Sequence, residues 1–440
     1  MTITEPAAPA TPESASAPDS GPLLLVLGAA DESGLKRLAA EPGIEGRQGR
    51  VRAPEGPEFL AVAAADHTRA GRVLGEFARG VPSAQLVRGR RDTGGDAVWC
   101  FGGHGGQWPG MGRELLDSAP VFGETIDEID ALMTGRAGCG VRSLLTGSEP
   151  AEFERIERVQ PATFAYQVAL AKWLRSVGLR PAAVVGHSVG EIAASHISGA
   201  LSLPDAVRVI CLRSELLARS AGGRGAMASI GLPAPEVEEH LAAVGGRLSV
   251  AVHASPHETV VTGDAGPLDR LVTVLEGSGV RCRRVHIDAA SHSHLVDGVL
   301  EELRAGAAAV RAGRPDVPWI STVAADEHTR QMVPGDAAYW VRNLRGPVRF
   351  RQAVTELADR GHRTFLEIGP HGVLTSSIRD TLTGLGIRNG RILGTCRRGA
   401  SERLGALRTV GALHVAGAEV DFAELGGVGR AVCVQAGEEQ

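Results

Sequence analysis

The sequence predicts an α/β fold in which a hydrolase-like, parallel-sheet unit is interrupted by a smaller inserted unit, and three observations carry that prediction. Gly186-His187-Ser188-Val189-Gly190 is a G-x-S-x-G between the apolar run Ala182–Val185 and an apolar helical stretch from Glu191, the strand–turn–helix setting of a nucleophile elbow. Residues 226–287 read β-α-β-β-α-β, the ferredoxin-like order. Residues 22–95 read strand–helix–strand–helix, a further small α/β unit. A chain of 440 residues has room for two or three such units.

Element by element, Leu23–Leu27 is an apolar run between Pro22 and Gly28, the pattern of a buried strand, and Asp31–Ala40 is helical with Asp31 or Ser33 as its cap. Phe59–Ala64 is the second strand and Thr68–Arg79 the second helix; the polar stretch Arg88–Gly95 marks a boundary. Ala97–Phe101 is a strand running into Gly102-Gly103-His104-Gly105-Gly106-Gln107, a loop whose glycines let backbone N–H groups approach a ligand. Helical periodicity follows at Arg113–Leu116 and Gln160–Val177. Within the insert the strands are Met227–Ile230, Leu248–His253, Thr259–Thr262 and Cys282–Ile287, with helices at Ala234–Val244 and Pro267–Gly277. After His292 a helix runs to about Arg311, and strands at Trp319–Val323 and Thr364–Ile368 complete the larger sheet. The expected units are a disordered leader at 1–21, an α/β unit at 22–95, a large subdomain at 96–225 and 288–395, a small subdomain at 226–287, and a tail at 396–440.

Composition removes several function classes. Hydrophobic residues make up 43% and charged residues 22%, enough apolar material for a sizeable core. The formal net charge of −5, with no long basic run, argues against a nucleic-acid partner. No stretch approaches the ~20 apolar residues of a membrane span. The six cysteines (Cys100, Cys139, Cys211, Cys282, Cys396, Cys433) have no paired spacing, so neither a disulfide framework nor a metal site is expected. The first 21 residues, rich in Ala, Pro, Ser and Thr, lack the basic start and apolar stretch of a signal peptide, which gives the expectation of a cytoplasmic protein.

The elbow exposes the Ser188 hydroxyl and turns the Val189 N–H toward the reacting atoms. A serine hydroxyl needs a base to take its proton. His187 is read as packing, because its place on the elbow points away from the attack site. His286, His292 and His294 cluster where the small unit hands back to the large one, and His292, in Ala289-Ala290-Ser291-His292-Ser293, is the preferred base, with a solvated loop histidine as the competing reading.

These motifs, in this order, resemble the malonyl-CoA:acyl-carrier-protein acyltransferase family, specifically the acyltransferase domains of modular polyketide synthases. Phe101–Gly112 resembles the family's FPGQGSQWxGMG, Gly186–Glu191 its GHSxGE, Ala289–Ser293 its xAxHS, Asn343–Phe350 its NLRxPVRF and Glu367–His371 its ExxPH, over roughly residues 97 to 395. The resemblance implies that Ser188 carries the acyl group as an ester and that His292 is the general base and then acid. It implies the backbone N–H groups of His104 and Val189 as oxyanion donors, His104 standing where the family usually has Gln. Arg213 matches the family's substrate-carboxylate Arg, for which a bidentate guanidinium is suited and Lys is not. Gln160 matches an active-site polar position, and Asn343 matches the position whose backbone carbonyl orients the histidine. Residues 22–95 resemble the linker unit preceding such domains, and Thr395–Glu424 the segment following them. Met1 and the leader give the expectation of a free-standing enzyme serving its acyl carrier protein in trans, an excised piece being the alternative. No metal or redox cofactor is implied; the CoA thioester is substrate, and phosphopantetheine belongs to the carrier.

For the extender unit, the resemblance points to the residues before the histidine and the one after the serine. Malonyl enzymes of the family tend to HAFH with a branched aliphatic residue after Ser, and methylmalonyl enzymes to YASH with Gln. Here Ala289-Ala290-Ser291-His292 stands with Val189, matching neither set fully. Ser291 lacks the bulk of Phe and Ala289 that of Tyr, so the pocket should admit an α-substituent. One methylene is worth only ~1–3 kcal/mol of discrimination, so a 2-alkylmalonyl unit (ethyl or methyl) is favoured with malonyl close behind. The rival readings are an acyl-carrier editing hydrolase, which would not need Arg213, and a non-catalytic docking subunit.

Overall fold

The computed structural model describes residues 21–46, 53–83, 85–91, 96–133, 140–220, 224–285, 290–323 and 334–436. The 1–21 leader therefore falls, but for its last residue, outside the described residues. Strand β1 (Leu23–Ala29) is buried along its whole length, as a strand covered on both faces must be. Asp31 caps the helix Glu32–Ala39, its carboxylate accepting the Gly34 N–H at 2.6 Å. Strand β2 (Glu58–Ala64) lies antiparallel to β1, and Asp66 caps the helix His67–Ala78 that follows. Part of the stretch read as a polar boundary is instead β3 (Leu86–Arg90), an edge strand paired with β2. Its arginines suit that place, because an outer strand can carry charge on its free side.

Strands β4 (Val98–Phe101) and β5 (Ala183–Gly186) pair in parallel at the centre of a second sheet. Between them the chain forms the helix Pro120–Met133, which the sequence reading passed over, and the long helix Ile156–Ser176, which begins one turn before the expected Gln160. Beyond β5 come the helices Gly190–Ile197 and Leu203–Ser220.

The insert follows. Strands β6 (Gly225–Ile230), β7 (Leu248–Ser255), β8 (Glu258–Asp264) and β9 (Cys282–Val285) form a fully antiparallel sheet ordered β7-β8-β6-β9, with helices Ala234–Val244 and Ala265–Gly277 after the first and third strands. This is the ferredoxin-like arrangement. It is stitched to the larger unit at β7, where the Val348 N–H donates to Ala251 O at 2.8 Å and the His253 N–H to Val348 O at 2.9 Å.

The chain then returns to the second sheet with β10 (Trp319–Ile320), β11 (Thr364–Ile368) and β12 (Arg391–Gly394), giving five parallel strands ordered β10-β5-β4-β11-β12. Strand β10 keeps only two of the five expected residues, because the Thr322 N–H turns to the Glu191 carboxylate instead of a neighbouring strand. The helix expected to reach Arg311 is a 3₁₀ turn, His294–Val299, followed by a helix that stops at Gly306. The tail is no separate appendage. Helix Glu402–Val415 packs on the first sheet, its Gly411 so close that a Cβ there would lie 2.8 Å from carbons of Ala61 and Leu24. Strand β13 (Arg430–Gln435) runs parallel to β1 and completes the order β13-β1-β2-β3. Residues from 22–95 and from 396–440, separate units in the sequence reading, thus share one sheet.

Candidate active site

The elbow is built by close packing that only glycine permits. A Cβ on Gly186 would sit 2.3 Å from the Glu191 backbone, and one on Gly190 would sit 2.1 Å from the Phe101 carbonyl oxygen. Squeezed between them, Ser188 has a φ of 54°, in the left-handed region that bulky residues avoid. Among the described residues only one other non-glycine side chain shares a positive φ, and it is His292 at 61°. Such backbone strain costs of order 1–3 kcal/mol and persists only where the surroundings enforce it. The two strained residues meet: Ser188 Oγ lies 2.9 Å from His292 Nε2, across 104 positions of sequence.

The other imidazole nitrogen of His292, Nδ1, lies 2.7 Å from the Gly346 carbonyl oxygen. This contact corrects the expectation that assigned the orienting carbonyl to Asn343. Gly346 follows the helix Ala337–Arg345, and its carbonyl precedes Pro347, where the helix has ended. Asn343 works through its side chain, donating from Nδ2 to the Ser188 carbonyl at 3.0 Å and accepting the Arg213 Nε–H at 3.3 Å. With Nδ1 as donor to a carbonyl, Nε2 is the free acceptor facing the serine hydroxyl. Burial, and secondarily the Arg213 charge, lower the His292 pKa to about 3. The imidazole is therefore neutral and able to accept a proton.

Arg213 is 1% exposed on helix Leu203–Ser220. Its guanidinium donates to Gln160 Oε1 at 2.8 Å, to Asn343 Oδ1 at 3.3 Å and to Ser188 Oγ at 3.3 Å. Every one of these partners is neutral, and burial alone lowers the Arg213 pKa to about 10. A buried cation is costly without an anion beside it. The described residues supply Arg213 with no carboxylate, so the guanidinium next to Ser188 Oγ is electrostatically suited to an incoming anion.

The glycine-dense loop after β4 closes over the elbow. A Cβ on Gly103 would lie 3.0 Å from the His187 carbonyl and 3.7 Å from Ser188 Cβ. The His104 ring is turned to Gln107, whose Nε2 lies 2.9 Å from His104 Nε2, while Gln167 holds the loop's start by donating to Gly102 O at 2.8 Å. Among the described residues, the backbone N–H groups of His104 and Val189 donate to no other protein group. His187 packs edge-on against Phe350 at 5.5 Å between ring centroids, in keeping with a packing role.

Glu191, three residues beyond Ser188 and fully buried, anchors the elbow helix to β10. Its carboxylate accepts from the Thr322 N–H and hydroxyl at 2.6 Å each, from Trp319 Nε1 at 2.7 Å and from the Tyr339 hydroxyl at 3.0 Å. Of the residues expected to shape the substrate side, Val189, Ala290 and Ser291 are all buried, and Ala290 packs where a Cβ on Gly225 would be only 2.5 Å away. Ala289 and His286 lie outside the described residues. His294 faces Asp264, Nε2 to Oδ1 at 3.1 Å, away from the Ser188 contact that His292 makes. The sequence reading missed Gly346 and Thr322, whose parts are played by a backbone carbonyl and by a single hydroxyl-bearing residue. Neither leaves a periodicity or spacing signal.

Comparison with known proteins gives a consistent picture. The profile of the family described as "Acyl transferase domain" matches residues 98–420. The mycocerosic acid synthase-like polyketide synthase of Mycobacterium tuberculosis is 42% identical over 86% of this chain, which spans only 18% of that protein. The crystal structure of the acyltransferase domain from module 8 of the salinomycin polyketide synthase superposes with a TM-score of 0.84 at 35% identity, over 93% of this chain and 98% of that one. The acyl transferase domain of SpnD, in complex with 2-(pent-4-yn-1-yl)malonyl, superposes with a TM-score of 0.77 at 28% identity, over 93% and 98%.

Proposed function

The chain belongs to the acyl transferase domain family found in polyketide synthases, and from that premise we propose that it loads a malonyl-type extender unit from CoA onto an acyl carrier protein through an ester on Ser188. The observation that carries the proposal is the buried Arg213 cation, hydrogen-bonded to Ser188 Oγ and without an acid partner among the described residues. A substrate carrying both a thioester and a carboxylate satisfies serine and arginine together.

In the first half-reaction Ser188 Oγ attacks the thioester carbonyl as its proton passes to His292 Nε2. The carbonyl oxygen becomes an oxyanion facing the N–H groups of His104 and Val189. Collapse breaks the C–S bond, and the CoA sulfur leaves with the proton returned by His292, now an acid. The second half runs in reverse: the pantetheine thiol of the carrier gives its proton to His292 and attacks the seryl ester, and Ser188 recovers its hydrogen. Gly346 O holds the imidazole in one orientation through both halves. Gln160 and Asn343 hold the guanidinium fork toward the carboxylate. The cycle as written moves only protons and an acyl group, so it draws on no metal or redox cofactor.

For the acyl group we favour a 2-alkylmalonyl unit. In the sequence, Ser291 stands in place of Phe and Ala289 in place of Tyr, leaving little bulk before the base, and a relative of the same fold holds a 2-substituted malonyl group. Malonyl itself is the alternative. The proposal extends to a carrier supplied as a separate chain, in the cytoplasm. One experiment tests substrate and reaction together. The enzyme is given malonyl-, methylmalonyl- and ethylmalonyl-CoA in competition, with a carrier protein present or absent, and wild type is compared with Arg213→Ala. The expected result is preferential 2-alkylmalonyl loading and carrier-dependent turnover, both reduced about 100-fold or more in the variant. Preferential malonyl loading overturns the extender assignment. Rapid thioester release to water, unaffected by Arg213→Ala, favours an editing hydrolase instead.

A further inference from the structure

The peptide group joining Ser291 to His292 is gripped at both of its polar ends, and by different subdomains. Its N–H, belonging to His292, donates to Leu344 O of the large subdomain at 2.9 Å. Its carbonyl, belonging to Ser291, accepts the hydroxyl of Thr262 at 3.1 Å. Thr262 lies on β8 in the insert and is completely buried. The same peptide plane enters the unfavourable φ of 61° at His292, and Ser291, on its other side, is buried beside it.

A left-handed φ at a residue other than glycine persists only when its neighbours over-determine it. From the large subdomain, Leu344 O and Gly346 O supply two constraints on His292. Because the peptide is planar, the Leu344 bond to its N–H and the Thr262 bond to its carbonyl resist the same rotation, and the Thr262 hydroxyl is the insert's share of that restraint. Around it the loop is further tied down: Ser293 Oγ donates to Ala290 O at 2.6 Å and accepts the Leu295 N–H at 3.2 Å.

We propose that Thr262 is a positioning residue for both reactivity and extender choice, its hydroxyl fixing the Ser291–His292 peptide so that the base faces Ser188 and Ser291 faces the acyl α-carbon. The inference rests on His292 being the base, as argued above. Without the hydroxyl, the peptide has one rotational constraint fewer. The imidazole then spends time away from Ser188 Oγ, and the pocket wall at Ser291 loosens with it.

Three substitutions test this. Thr262→Ser keeps the hydroxyl, Thr262→Ala removes it at nearly the same volume as Ser, and Thr262→Val removes it while keeping the shape of Thr. Single-turnover acylation, corrected for folded protein, and the ratio of ethylmalonyl to malonyl loading are measured for each, with His292→Ala alongside. The expected result is Ser within about twofold of wild type in both readings. Ala and Val should acylate roughly 10-fold or more slowly, in line with the rate sensitivity to ångström-scale misplacement, and with a loading ratio shifted at least about threefold. Because Ser and Ala both shrink the side chain, their difference reports the hydroxyl even if Val disturbs folding. If Ala equals Ser in rate and ratio, the hydroxyl is idle and the proposal is wrong. Normal acylation by His292→Ala would instead remove the premise about the base, an outcome recognisably different from an idle Thr262.

Discussion

Burial and the Arg213 charge hold the His292 pKa near 3, far below the ordinary 6.5, and this has a consequence for pH dependence. An imidazole accepts a proton only in its neutral form, so a base with an ordinary pKa loses activity as pH falls through about 6.5. Here the neutral form persists well below that. The quantity kcat/KM reports ionisations of the free enzyme, the state in which no substrate carboxylate offsets Arg213. Its pH profile should therefore be flat within about twofold from pH 8 to about pH 5, turning down only on approach to about pH 3–4. A half-maximal point between pH 6 and 7 would contradict the electrostatic picture. At this scale the sequence was legible where side chains come together. Ser188, His292, Arg213 and Gln160 occupy one cluster, linked by contacts of 2.8–3.3 Å. It was illegible where a backbone group takes part, as in the Gly346 carbonyl that contacts His292 Nδ1, a contact expected from Asn343.

At the scale of elements, the elbow depends on β5, the helix Gly190–Ile197 and the brace that Glu191 makes to β10. Desolvation raises the Glu191 pKa to about 7 despite its four donors. A carboxyl whose folded pKa exceeds its unfolded value near 4.5 binds more protons folded than unfolded in the interval between, so its contribution to stability falls as pH rises through that interval. Glu191→Gln removes the titration while keeping the size. The unfolding free energy of wild type minus that of Glu191→Gln should therefore become more favourable to wild type as pH is lowered from about 8 to about 5. A pH-independent difference, read from denaturant titrations, would contradict it. The elements themselves were largely readable, because G-x-S-x-G and the βαββαβ alternation are local patterns. Strand β3 was not, since Leu86-Val87-Arg88-Gly89-Arg90 has the polarity of a loop and becomes a strand only through β2 beside it.

For the molecule as a whole, the site is a product of chain return. Ser188 comes from the first pass through the parallel sheet, and His292, the proposed base, comes after the insert has been completed, held by Leu344 and Gly346 from later still. The terminal segments are likewise closed on one another, β13 lying against β1 and His414 packed edge-on between Phe59 and Phe422 at 5.2 and 5.1 Å. None of that long-range pairing has a sequence period, which is why the tail was read as a separate piece. Only the ordered set of motifs carried information about what meets what. The most direct test of the account is the intact mass of the enzyme after brief exposure to a malonyl-type CoA, followed by peptide mapping, in wild type and Ser188→Ala. The account predicts a single acyl increment located on Ser188 and absent from the variant. An increment that survives in Ser188→Ala, or that maps to another residue, would contradict it.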